Sequence, residues 1–252
     1  VSLDKLEDAL KSNPDTEVVA FVHAETSTGV RSDAKEIAEI AKKYGCLVIA
    51  DTVTSLVGIP VLTDEWGLDA VYSGSQKCLS SVAGLSPLTF SDKAIKKIQS
   101  RDTRIQSWFL DQTLVLDYWS GSGKRSYHHT APINSIFALH ESLRLACDET
   151  LENLWKRHFQ AHSRLKKGLD KLSFDFVVEK EYRLPQMNSI HIPSGYDDIE
   201  VRTKLLNDFN LEIGAGLGKF AGKIWRIGLM GYNARNESVD YCLESLKSVL
   251  NK

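Results

Sequence analysis

The sequence predicts an α/β fold: a large domain over residues 1–149, with a mostly parallel sheet flanked by helices, and a smaller C-terminal α+β domain over residues 150–252. Three observations carry this expectation. Strand-length apolar runs alternate with helical patterns through the first half of the chain, the signature of βαβ units. A long amphipathic helical pattern weakens at Asp148–Thr150, and a domain boundary is placed there. Beyond it, strand and helix patterns recur without regular alternation. A chain of 252 residues is long enough to bury a sizeable core, as one large domain or two ordinary ones.

Taken in order, Ser2–Leu10 reads as a short helix and Val18–His23 as a buried strand. In Asp33–Tyr44, Ile37, Ile40, Ala41 and Tyr44 fall on one helical face. Asp33 and Glu36 have the spacing of a capping box, and Gly45 follows where a positive φ ends the helix. Cys46–Ala50 is a continuous apolar run, as in a strand covered on both faces, and it ends in Asp51. Asp69–Ser73 is a short strand leading into Gly74-Ser75-Gln76-Lys77; Leu88–Phe90 is another, with a helix from Asp92 to about Gln99. Thr113–Trp119 reads as helical, residues 121–129 as a polar loop, and Pro132 suits the first turn of a helix whose pattern runs toward Leu172. Strand patterns then appear at Phe174–Val178, Ser189–Ile192 and Ile224–Leu229, with a helix near Asp198–Phe209. Residues 214–222 are glycine-rich and read as a mobile loop, and the last helix carries Val239, Cys242, Leu246 and Leu250 on one face.

Composition excludes several classes of function. Lys plus Arg (31) nearly balance Asp plus Glu (33) and form no basic block, which argues against nucleic-acid and membrane-surface partners. No apolar run approaches the roughly 20 residues of a membrane span. The four cysteines are scattered without C-x-x-C spacing, so reduced thiols in a reducing compartment such as the cytoplasm are expected. His128 and His129 are adjacent rather than spaced for zinc, and no metal site is expected. The glycines of residues 214–222 have the wrong spacing for a dinucleotide loop.

Three residues carry chemistry. Lys77 follows a strand through small residues; an amine there can condense with an aldehyde if enclosed, or it simply leaves the strand for solvent. Asp51 ends a neighbouring strand, where a carboxylate can keep a pyridine nitrogen protonated, or can cap a turn. Parallel sheets gather ligands at the carboxyl ends of their strands, so acid and amine are expected at one edge. Together they suit pyridoxal 5′-phosphate. Arg226 interrupts an apolar strand, where a guanidinium can clamp a carboxylate or face water from an edge.

With Tyr72–Lys77 (Y-S-G-S-Q-K), Ala50–Val53 (A-D-T-V), Glu25–Gly29 (E-T-S-T-G), Tyr127–Thr130 (Y-H-H-T) and Trp225–Gly231 (W-R-I-G-L-M-G), the chain resembles a fold-type I, class V pyridoxal-phosphate aminotransferase. The likeness is to the alanine–glyoxylate and serine–pyruvate aminotransferase family, from about residue 18 onward, with the motifs in family order. It implies that Lys77 holds the cofactor and moves the proton, that Asp51 pairs with the ring nitrogen, and that Val53 packs on the ring. It further implies that Thr26 lies near the ring oxygen and that Gln76 contacts the phosphate. Tyr127 and Thr130 would reach the phosphate of the neighbouring subunit, in a homodimer with shared sites, and Arg226 would bind the substrate carboxylate. The implied reaction moves an amino group between alanine or serine and a 2-oxo acid such as glyoxylate or pyruvate.

The sequence departs from the family where Ser80–Gly84 (S-S-V-A-G) replaces a proline-rich segment. The resemblance also implies an N-terminal part ahead of Val1, bearing a phosphate-binding turn and a ring-stacking aromatic. A peroxisomal or mitochondrial signal would lie there too. The alternatives are a 3-hydroxykynurenine transaminase, a cysteine desulfurase, and a truncated non-catalytic homologue that dimerises or binds an anion. Desulfuration fits poorly, since Gln76 rather than histidine precedes Lys77 and residues 214–222 contain no cysteine.

Overall fold

The computed structural model describes residues 2–119 and 127–251. The chain opens with helix α1 (Leu3–Ser12), whose N-cap Ser2 accepts a bond from the Lys5 amide. Strand β1 (Val18–Val22) leads to a two-stranded hairpin, β2 (Ala24–Glu25) and β3 (Val30–Arg31), and then to α2 (Ala34–Lys43) and β4 (Leu47–Asp51). A short helix α3 (Thr63–Trp66) precedes β5 (Ala70–Tyr72), β6 (Leu88–Phe90) and α4 (Asp92–Gln99). Helices α5 (Gln112–Trp119), α6 (Ile133–Glu149) and α7 (Leu151–Lys171) follow. Then come β7 (Met187–His191), α8 (Asp198–Phe209), β8 (Gly214–Ala215), β9 (Ile224–Gly228) and α9 (Asn236–Val249).

The fold is α/β. Its first sheet has the order β1-β4-β5-β6, with β1–β4 and β4–β5 parallel and β5–β6 antiparallel. Helix α2 and its neighbours cover it: Leu10, Ile37, Ala41, Val48, Ala50 and Val71 form one apolar cluster. The second sheet, β7-β9-β8, is antiparallel. It packs on α7, α8 and α9 through Leu165, Leu169, Ile190, Leu205, Trp225 and Leu246. Strand alternation matters most in β9. Trp225, Ile227 and Leu229 join that cluster, so the period of two turns Arg226 to the opposite face. Trp225 is fully buried, and its indole N–H donates to Asp198; truncating such a side chain costs about 3–5 kcal/mol.

Several local expectations give way to tertiary contacts. The capping box at Asp33–Glu36 does not form: the Asp33 side chain makes no cap bond, and its carboxylate lies 3.8 Å from Arg31 instead. Gly45, with φ 77°, does close α2. Phe174–Val178 is not a strand; it touches β7 through the single Phe176–Ile190 bridge. The glycine-rich segment is not all loop, because its first residues form β8 beside Trp225 and Arg226. Residues 121–126 of the expected polar loop lie outside the described residues. No helix of the described residues is long and apolar enough to cross a membrane.

His23, just beyond β1, is 3% exposed, and its ring meets Trp66 edge-on. Burial, aided by the Arg31 charge, pushes its pKa down from 6.5 to about 4. The folded protein therefore refuses a proton that the unfolded chain accepts, so stability is lost as pH falls from 6.5 toward 4. From this residue alone, urea unfolding is expected to lose about 2 kcal/mol between pH 6.5 and 5. Burial also lowers the pKa values of His158 and His162, which steepens the decline. A His23→Leu variant is expected to have a shallower slope by about one proton.

Candidate active site

Asp51 is the last residue of β4, and parallel pairing sets it beside Tyr72 at the end of β5. One carboxylate oxygen accepts the Val53 amide at 2.8 Å and the other the Tyr72 hydroxyl at 2.9 Å. Asp51 thus caps its own turn and is still fixed in direction. Burial, then the bond to Asp51, holds the Tyr72 hydroxyl above its usual 10, so it acts as a donor at neutral pH. The two strand ends are stitched further where the Thr52 hydroxyl bonds the Tyr72 carbonyl and the Ser73 hydroxyl bonds the Thr52 carbonyl.

Lys77 lies on a turn beyond β5 rather than directly at the strand end. Pairing between the flanking segments continues through Ser73 to Pro87 and Ser75 to Leu85. The Ser75 hydroxyl then ties the turn to the Val82 carbonyl at 2.6 Å. Lys77 is half-buried, and no hydrogen bond or ion pair joins its amine to another described residue. Gly74 shapes the space before it. A Cβ there would lie 2.9 Å from the Gln76 side-chain oxygen and 3.3 Å from a Val53 methyl. The bare α-carbon lets the Gln76 amide and Val53 close around one spot.

Thr26 belongs to the turn between β2 and β3, where Glu25 accepts from the Ser27 and Gly29 amides. Its hydroxyl lies 2.6 Å from that of Thr54, and its carbonyl accepts from Arg226 at 3.1 Å. Arg226 is half-buried on the central strand of its sheet, not on an edge facing water. Its Nε–H also donates to the Ala215 carbonyl at 2.7 Å. Gly214 leaves room for this guanidinium, since a Cβ there would lie 3.3 Å from Nη2.

Asp51 is bonded to Val53, Val53 and Gln76 meet around Gly74, and Thr26 joins Thr54 to Arg226; Lys77 follows Gln76 directly in the chain. Tyr127 and Thr130 stand apart. Their hydroxyls bond each other, and Tyr127 is exposed. His128 between them stacks on Trp108 at 4.0 Å. The donor set fits a phosphorylated pyridine aldehyde: an amine for the carbonyl, a fixed carboxylate for the ring nitrogen, a hydroxyl and an amide for oxygens, and a small-residue cradle beside Val53.

A second set of residues, not visible as a sequence motif, locks the Lys77 turn to the Arg226 strand. The Gly231 amide donates to His158 Nε2 at 3.0 Å, and the Tyr232 amide donates to the Ser80 hydroxyl at 2.9 Å. Arg157 binds the Gly231 and Ala234 carbonyls while paired to Glu149. The Nδ1 of His158 donates to the Leu154 carbonyl, which leaves Nε2 as the acceptor. Burial keeps this ring below its usual pKa, and therefore neutral.

The sequence pattern of the aminotransferase class-V family matches residues 1–240, and the chain belongs to that family. It is 39% identical over 251 residues to the alanine–glyoxylate aminotransferase of Rattus norvegicus, a match that covers 99% of this chain and 60% of the rat protein. The (S)-ureidoglycine–glyoxylate transaminase of Bacillus subtilis is 36% identical, with 92% of this chain and 60% of that protein covered. Among solved structures, an alanine–glyoxylate aminotransferase from Nostoc sp. superposes with a TM-score of 0.95 at 46% identity, over 99% of this chain and 66% of that one. The chain thus spans about 60% of the length of the curated relatives it matches.

At Gly231, φ is +54°, and an added Cβ would lie 1.8 Å from the Ser80 hydroxyl and 2.7 Å from the Cys78 carbonyl. Gly231→Ala is expected to cost about 2–5 kcal/mol by urea unfolding, from backbone strain plus overpacking. Gly228→Ala at the end of β9, three residues before Gly231, whose Cβ would meet only Met187 at 3.8 Å, is expected to stay within about 1 kcal/mol.

Proposed function

We propose that the protein is a pyridoxal-phosphate-dependent aminotransferase that moves an amino group from alanine or serine to a 2-oxo acid such as glyoxylate or pyruvate. The observation that carries this reading is a carboxylate fixed by two donors at the end of β4, an amine without an ion-pair partner among the described residues on the tied turn that follows the neighbouring strand β5, and an anchored arginine that reaches Thr26. Relatives named for transamination to glyoxylate support it. When bound, the cofactor supplies an aldehyde that takes up the amino group and a protonated ring that draws electron density from the substrate carbon.

In this reading the chain's own residues do the following. Lys77 would hold the cofactor through its amine, and that amine would carry the proton from the substrate Cα. Asp51 keeps the ring nitrogen protonated, because a fixed negative charge favours the positive ring. Val53, Thr26 and Gln76 would help to hold the cofactor, Val53 by apolar contact, the Thr26 hydroxyl and the Gln76 amide as hydrogen-bond donors. Arg226 spends Nε–H and one Nη1–H on carbonyls. Its Nη2 group and remaining Nη1–H are left to grip a carboxylate. Desulfuration is disfavoured by the cysteine next to Lys77: burial pushes the Cys78 thiol up to about 12, far from the thiolate that such chemistry needs.

We take Thr150, with φ 69° between α6 and α7, as the joint between a cofactor-binding domain and a C-terminal domain. We also infer a homodimer in which Tyr127 and Thr130 reach the partner's phosphate site. Trp108, Phe109, Leu110, Trp119 and Phe137 are all more than half exposed on neighbouring segments, an apolar surface of the kind that marks an interface.

Adding pyridoxal phosphate to the purified protein is expected to produce a visible absorbance band that Lys77→Ala abolishes. A band of equal strength in the variant would sink the assignment, and no band in the parent would favour the non-catalytic homologue. Arg226→Lys, which keeps the charge but loses the planar fork, is expected to raise KM for the 2-oxo acid about 10–100-fold. Steady-state kinetics check this, and light scattering checks the dimer.

A further inference from the structure

We propose that Thr54 is a positioning residue, acting through Thr26 on both the cofactor and the carboxylate grip; the proposal rests on the function argued above. Thr54 is 1% exposed, on the turn that follows β4. Its carbonyl accepts the Gln186 side-chain N–H at 2.8 Å and faces the Cys78 thiol at 3.5 Å. Its backbone is therefore held from two sides, by the C-terminal half of the chain and by the neighbour of Lys77. Its hydroxyl meets Thr26 Oγ1 at 2.6 Å, across 28 residues of sequence.

Burial fixes the direction of that bond. A hydroxyl carries one proton and two acceptor sites. No other hydrogen bond among the described residues takes the Thr54 proton, and a buried unpaired donor is costly. Thr54 therefore donates to Thr26, which keeps its own proton for an oxygen in the site. The same Thr26 is held at its carbonyl by Arg226. Thr54 is thus the fixed point from which the ring contact and the carboxylate grip take a common position. Its methyl group alone could not do this, since only the hydroxyl reaches Thr26 with a proton.

The test uses pyridoxal phosphate titrations of the purified protein, followed by absorbance, with thermal melting in parallel. Thr54→Val keeps the shape and removes the hydroxyl. It is expected to weaken binding about fivefold, the effect of one lost hydrogen bond, and to shift the position of the visible band. Thr54→Ser keeps the hydroxyl and is expected to bind within twofold of the parent. Thr54→Ala, a second hydroxyl-free variant, is expected to match Thr54→Val even where the valine variant melts early. Affinity and band position unchanged in both hydroxyl-free variants would overturn the proposal, as would a serine variant as weak as valine. A parent protein with no Lys77-dependent band would overturn the proposed function itself, a result distinct from either of these.

Discussion

Parallel pairing of β1, β4 and β5 forces their carboxyl ends to one edge of the first sheet, and the candidate site is assembled on that edge. The register is strict: Val22 pairs with Asp51, and Asp51 with Tyr72. A slip of one residue would turn Asp51 to the other face and remove its phenol donor. The apolar interior maintains the register, because Val48 and Ala50 are fully buried under α2 while Asp51 emerges at the rim. The carboxylate owes its position to residues that take no part in its chemistry.

The second sheet contributes through contacts that are few, polar and specific. Gly29 comes so close to Met187 that a Cβ would lie 2.6 Å from its carbonyl. The Leu184 amide bonds the Gly29 carbonyl, Gln186 bonds Thr54, and Gly231 packs on the turn after Lys77. Each such bond has a net worth of only about 1 kcal/mol. Together they fix the distance between the strand bearing Arg226 and the turn bearing Lys77. Glycine recurs at these approaches because two backbones cannot otherwise come so close.

Much of this was legible in the sequence because it rests on local pattern. The helical face of residues 33–44 and the φ-positive Gly45 follow from spacing alone, as do the helices at Asp92–Gln99 and Asp198–Phe209. Arg226 stood out because a charge in an apolar strand needs a partner, and its partners proved to be carbonyls. What could not be read depends on residues far apart in the chain. Asp33 turns from its own helix toward Arg31, Phe174–Val178 runs beside β7 with one bridge, and β8 exists only because β9 is there to pair with it. Tyr72 and Thr54 could not be singled out, since each matters through a residue more than twenty positions away.

The balance of magnitudes separates stability from geometry. A fully buried Leu or Ile contributes about 1.5–3 kcal/mol, and the two apolar clusters hold many such side chains. The polar contacts between them are individually smaller, and some, such as Gly231 to His158 and Gln186 to Thr54, join buried groups that would be costly to leave unpaired. Their effect is therefore mainly to exclude wrong arrangements. A slightly displaced Gly231 turn would leave the buried His158 acceptor without its amide and would press Gly231 against the Cys78 carbonyl or part from it. Because both penalties arise together, intermediate positions of the turn are disfavoured and the Lys77–Arg226 spacing is set in one step. Chemistry that must engage a carbon and a carboxylate of the same small molecule requires such a fixed spacing. An apolar joint of equal strength, being non-directional, would not supply it.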